Sequence, residues 1–141
     1  MNRVIAALLL AATATGYAAD STRSPSPPGA EVYFIAPADG AVVPHKFTVK
    51  FGLKGMGVAP AGVEVPNTGH HHLLIDTPPP SDASLPLPST DHILHFGKGQ
   101  TEAEIMLPPG THTLQLEFAN YLHIPFDPPV ESKVITITVE E

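Results

Sequence analysis

Proline decides what this chain can build. Seventeen prolines and eleven glycines divide it into short pieces, and a proline inside a helix removes a backbone donor and clashes with the preceding turn. The longer proline-free stretches are interrupted again, by Gly52, Gly55 and Gly57 in one and by Gly97 and Gly99 in another. No long amphipathic helix fits between these breaks, and the remaining pieces read as strands. "KFTVKFGLKG" alternates, with Phe47, Val49, Phe51 and Leu53 on one face and Lys46, Thr48, Lys50 and Lys54 on the other, the pattern of a sheet with one wet side. "THTLQLEFAN" turns His112, Leu114, Leu116 and Phe118 the same way, and "SKVITITVEE" sets Val134 apart from Ile135, Ile137 and Val139. With "EVYFIAP", "HHHLLID", "DHILHF" and "TEAEIML" these make about seven strands. The expected fold is all-β, an immunoglobulin/fibronectin-like antiparallel sandwich. "PADGAVVP" reads as a turn; "GMGVAPAGVEVPNTG", "TPPPSDASLPLPST" and "YLHIPFDPPVE" read as loops, the proline-dense ones being barred from a sheet interior.

The N-terminal residues set the expected compartment. Arg3, an apolar run from Val4 to Ala12 and a small-residue exit at Ala18-Ala19 have the order of a secretory signal peptide. The run is about half of the roughly 20 residues a membrane span needs. The expected organisation is a signal peptide over 1–19, a flexible Ser/Pro-rich tether over 20–30 and a β-sandwich domain over 31–141, with the mature protein in the periplasm and no membrane span after cleavage. The chain has no cysteine, which excludes thiolate zinc sites and thiol redox chemistry and leaves stability to packing. Seven Lys and Arg stand against fourteen Asp and Glu, a balance without the basic patch that nucleic acid requires.

Eight histidines, all inside the expected domain, are the unusual feature. In "GHHHLLID", the two-residue period of a strand puts His70, His72, Leu74 and Asp76 on one face and His71, Leu73 and Ile75 on the other. Two imidazoles spaced two apart can grip one ion, with a further ligand from His95 or His123. Alternating strand directions collect Met56, His70 to His72, His95 and His123 at one end of the sandwich, and His45, Asp76 and His112 at the other. A Met thioether with imidazoles, and no Cys, favours copper, with zinc as the alternative. The metal set is therefore His70, His72, His95, His123 and Met56, with His71 in reserve because a one-residue slip would exchange the faces. Plainer readings stand beside it. The triplet also fits a polar rim bonded to loop carbonyls, and Met56, between Gly55 and Gly57, fits a core plug. His112 fits a core-side histidine bonded to a carbonyl. Asp76 fits a turn carboxylate capping amides or a partner that orients His112, while His45 and His92 look like surface or turn residues.

Catalytic patterns are lacking: there is no nucleophile elbow, "GKGQ" is no phosphate loop, and Glu102 and Glu104 pair only on a solvated strand face. "FGLKGMGVAPAG", "GHHHLLID", "HFGKGQTE", "LPPGTHTLQL" and "PPVESKVITITV" together resemble a family of small bacterial exported domains of unknown function, over roughly Val32 to Val139. The resemblance implies an exported β-sandwich and no assigned activity. Its motifs fall here on Met56, His70, His71, His72, His95, Gln100 and His112, and His123 fits the same pattern. The expectation is a non-enzymatic periplasmic metal-binding protein for storage, delivery or protection, whose partners are the ion and a periplasmic or envelope protein. The rival is an immunoglobulin-like accessory module that binds an envelope protein or glycan through its rigid proline-rich loops.

Overall fold

Strand alternation in the sequence becomes layering in the computed structural model, which describes residues 23–141. Ten strands follow in order: β1 (Glu31–Ala36), β2 (Val42–Val43), β3 (Lys46–Lys54), β4 (Gly57–Val58), β5 (Thr68–Ile75), β6 (Ile93–His95), β7 (Glu102–Met106), β8 (Gly110–Ala119), β9 (Pro125–Glu131) and β10 (Ile135–Val139). The described residues contain no helix. One sheet has the order β1-β3-β7; the other has β2-β10-β8-β5-β4, with β6 also beside β5 and β9 beside β8. The pairings are antiparallel apart from β10 with β2 and β4 with β5.

Phe47, Val49 and Phe51 of β3 turn inward against Leu73, Ile75, Leu114, Leu116, Phe118 and Ile137 of the larger sheet, forming one hydrophobic core. Lys46, Thr48 and Lys50 stay in water, as the alternation predicts. The larger sheet is also covered on its other side. Leu74, Leu87, Ile93, Ala119 and Ile124 are buried yet lie outside the inter-sheet cluster, so the segments after β5 and β8 roof a second, smaller apolar layer. The Leu87 amide donates to the His123 carbonyl across that roof, at 2.8 Å.

The architecture is the expected all-β sandwich, open at its edges, with ten strands where the sequence suggested seven. β2 and β4 are two-residue pairings inside segments read as a turn and a loop. β9 lies in "YLHIPFDPPVE", read as a loop because of its prolines. It pairs along one side with β8, with a register shift between Phe118 and Ala119, and an edge position is where a strand tolerates residues without an N–H. The described part of the expected tether is tied to the same strand. Arg23 donates to the carbonyls of Pro125 and Phe126, and the Ser26 amide donates to the Asp127 carbonyl at 3.0 Å. Among the described residues the folded body therefore starts at Arg23, ahead of Glu31. The expected signal peptide lies outside the described residues.

β5 and β8 approach closely at Gly69. A Cβ at Gly69 would overlap the Ala119 carbonyl oxygen and reach 3.0 Å from both Phe118 and Phe126. Backbone cannot move aside as a flexible side chain can. Gly69→Ala is predicted to lower stability by on the order of 2 kcal/mol, seen as a lower denaturant midpoint at unchanged m-value.

Candidate metal centre

Four imidazoles meet on the outer face of the larger sheet. His70 and His72 come from β5, His95 ends β6, and His123 stands in the turn between β8 and β9. One ring nitrogen from each lies within 4.8 Å of all the others. His70 and His72 are buried, His123 is half-buried and His95 is exposed, which gives the cluster a closed floor and an open side.

Each ligand has a local reason for its position. The period of β5 sends His70 and His72 outward while Leu73 and Ile75 enter the core. His95 lies directly across from His72 in the β5–β6 register. Its ring fits because residue 97 is glycine: a Cβ there would lie 2.7 Å from His95 Nε2. His123 is placed by Asn120, a buried residue whose Oδ1 accepts from the amides of Leu122 and Ile124 at 2.9 and 3.0 Å. His123 itself has φ of 66°, a left-handed conformation sparsely used outside glycine and concentrated at functional sites.

The nitrogens of the cluster cannot satisfy one another. His70 Nε2 is 2.9 Å from His123 Nδ1 and 3.1 Å from His95 Nε2. A neutral ring nitrogen carries either one proton or one lone pair, so His70 Nε2 makes one full hydrogen bond and leaves the other contact short. Nδ1 of His70 has no hydrogen-bond partner, and the Glu117 backbone is the hydrogen-bonding group beside the His72 ring. A cation placed between the rings would accept all four lone pairs at once. Tetrahedral nitrogens at about 2.0–2.1 Å from a shared ion stand about 3.3–3.4 Å apart, whereas the four here lie within 4.8 Å of one another, so the widest pair closes on an ion by up to about 1.5 Å shared between two side chains.

Electrostatics keeps these rings in the ligating form. Burial, then repulsion from His123, His95 and His71, lowers His70 to about 4. Burial, followed by the same kind of repulsion from His70, His95 and His123, takes His72 to about 2. His95 is lowered by burial and by His123. The buried pair is therefore neutral at pH 7, with lone pairs available.

The other candidates lie elsewhere. Met56 packs, half-buried, against the inter-sheet core. His71 enters the core between Phe51 and Phe118, 5.0 Å from each ring, which fixes the register that puts His70 and His72 together. The cluster lies on a sheet face under loops; the sequence had placed it at an end of the sandwich. At the far end of β5, His112 Nδ1 donates to Asp76 Oδ2 at 2.7 Å and Nε2 to the Pro108 carbonyl at 2.8 Å. Both partners are acceptors, so both nitrogens carry protons. The Asp76 bond, above all, raises the pKa of His112 and makes it an imidazolium clamp. His45 and His92 bond the carbonyls of Leu107 and Ile75 at 2.6 and 2.9 Å.

Glu117 was not anticipated. Its side chain is 0% exposed, and burial, followed by repulsion from Glu131 and a hydrogen bond with it, pushes it up to about 9. The alternation of "LQLEF" suggested a wet face at Gln115 and Glu117. The signal against that was Leu73-Leu74-Ile75 on the neighbouring strand, since an unbroken apolar run marks a strand covered on both sides.

Among curated proteins nothing matches this chain. Among solved structures it is similar to the endo-β-1,4-mannanase from Thermotoga petrophila, at 18% identity and a TM-score of 0.47, over 79% of this chain and 20% of that one. The chain thus spans about a fifth of that protein's length, and the likeness carries no functional weight. Residues 49–140 match the model of a family described as a domain of unknown function, DUF4399. That span includes all four clustered histidines and more than half of the sequence, and the chain belongs to this family.

Proposed function

We propose that the protein binds a late divalent transition-metal ion through His70, His72, His95 and His123, with copper(II) the first candidate and zinc(II) the second. The observation that supports this reading is the convergence of four imidazole nitrogens, from three separate segments, within 4.8 Å of one another. An all-nitrogen neutral set suits Cu, Zn and Ni over Ca or Mg, and affinity in such sites peaks at Cu(II). The thioether that pointed to Cu(I) belongs to Met56, which packs on the core, so the reading rests on imidazole alone. Four protein ligands fill a tetrahedral shell, whereas catalytic zinc centres keep a position open; a holding task, in storage, delivery or protection, fits better than catalysis. The signal-like leader favours a periplasmic setting.

Titration of the untagged protein with Cu(II), Zn(II) and Cu(I) tests this. One equivalent of Cu(II) or Zn(II) is expected to bind tightly, and His70→Ala combined with His72→Ala is expected to abolish stoichiometric binding. Weak binding in the parent protein, or binding unaffected by the double change, would favour the accessory module that docks through its loops.

The metal-free protein has a distinct expected pH profile. In the unfolded chain His70, His71 and His72 take up protons near 6.5, but in the folded chain only at about 4, 4 and 2. Acid therefore favours unfolding: their contribution is complete above 6.5 and is lost as pH falls from there. Glu117 works in the opposite direction, because the unfolded chain releases its proton near 4.5 and the folded chain near 9. Stability on its account falls as pH rises through that interval. Three histidines outweigh one carboxyl below 6.5, and above it the carboxyl acts together with His112, whose raised pKa likewise makes stability fall as pH rises. The apo-protein Tm is predicted to peak between about pH 6 and 7 and to fall on both sides in a scanning-calorimetry series.

A further inference from the structure

The turn that carries His123 is built around Asn120, which is 1% exposed. Besides the two amides held by its Oδ1, its backbone closes the same turn. The Asn120 amide donates to the Ile124 carbonyl at 3.0 Å, and the His123 amide donates to the Asn120 carbonyl at 2.9 Å. The other end of the side chain reaches a part of the chain nearly a hundred residues away, where Nδ2 donates to Ser24 Oγ at 3.1 Å. Ser24 belongs to a strap, Arg23 to Ser26, laid along the first half of β9. The Asp127 amide donates to the Ser24 carbonyl and the Ser26 amide to the Asp127 carbonyl, each at 3.0 Å. Ser26 Oγ donates to the Pro128 carbonyl at 2.7 Å, and Arg23 donates to the carbonyls of Pro125 and Phe126. The strap thus grips the segment that follows His123 and, through Asn120, the turn itself.

We propose that this strap is a positioning element of the metal centre, setting the place of the ligand His123 through the Ser24–Asn120 bond. The inference rests on the metal-binding reading above and deepens it by naming what governs the fourth ligand. The other three ligands are fixed by strand pairing: His70 and His72 lie in β5, and His95 is in register with His72. His123 stands outside the strands, in a left-handed conformation that persists only where its surroundings over-determine it. Asn120 supplies that determination, and the strap holds Asn120 from the far side. A residue that orients a ligand without touching the ion still governs affinity, since a ring displaced from the cluster no longer offers its lone pair. Loosening the strap is therefore expected to release His123 and to leave His70, His72 and His95 together, a three-imidazole site in place of four.

A double-mutant cycle tests this. Ser24→Ala and Asn120→Ala are each made in the parent and in the His123→Ala protein, and affinity for Cu(II) and Zn(II) is measured by competition titration. Paramagnetic resonance at saturating Cu(II) counts the coordinating nitrogens, including in variants that bind weakly. In the parent background Asn120→Ala is expected to weaken binding about ten- to a hundredfold, and Ser24→Ala about two- to tenfold, the worth of one hydrogen bond. With His123 already replaced, neither change is expected to weaken binding further. The Cu(II) form of Asn120→Ala is expected to show three nitrogens, as His123→Ala does. A merely structural strap would lower affinity equally in both backgrounds, or lower the metal-free Tm with affinity intact, and either result overturns the proposal. Should Asn120→Ala fail to fold, Ser24→Ala decides: a loss confined to the parent background supports the coupling, and unchanged affinity overturns it. A parent protein that binds no metal refutes the metal reading itself, whereas tight parental binding that Ser24→Ala leaves intact refutes only the role of the strap.

Discussion

Burial of β5 on both faces is the constraint from which the site follows. A strand presents alternate side chains to opposite sides, so a sheet with one wet face would have left His70 and His72 in water with ordinary titration behaviour. Here Leu73 and Ile75 face the inter-sheet core while Leu74 joins a second apolar layer. That second layer needs a roof, and the segments that supply it are the ones on either side of β6 and between β8 and β9. His95 and His123 stand on those segments. The covering that apolar burial demands thus carries in the ligands that the strand alone could not provide.

The same burial creates opposed electrostatic strains in one small region. Imidazoles that cannot be protonated and a carboxyl that resists ionisation each lower stability over part of the pH range. Each is unfavourable as a bare group and favourable beside a cation. Desolvation that keeps His70 and His72 neutral leaves their lone pairs available. Local rules of polar satisfaction are broken here and largely kept in the inter-sheet core, His71 excepted, which is the distribution expected where function competes with packing.

Much of this was legible in the sequence where periodicity speaks for itself. β3 and β10 alternate as the pattern required, and the division of "HHHLLID" into two faces survives unchanged, with His71 among Phe51 and Phe118. Three things were not legible. Proline content hid β9, because composition does not say whether a segment is a sheet edge or a loop. The face of Met56 was undetermined, since a residue between two glycines belongs to no readable period. The burial of Glu117 depends on cover contributed by distant segments, which the pattern of its own strand does not announce: Thr111 on the same face is exposed and Gln115 half-buried.

The unequal exposure of the four rings also bears on what the site can do. His70 and His72 are anchored in the paired strand, while His123 sits on a turn held by the Asn120 side chain and His95 closes a three-residue strand. A site with two fixed and two accessible ligands lets an ion approach and leave from one side without opening the sheet. It also joins three segments that are otherwise connected through hydrogen bonds and modest apolar contact. An ion that bound the native arrangement alone would stabilise that outer layer in proportion to its affinity, coupling its binding to the order of the loops around it. In a cysteine-free chain such a link would do locally and reversibly what a disulfide otherwise does.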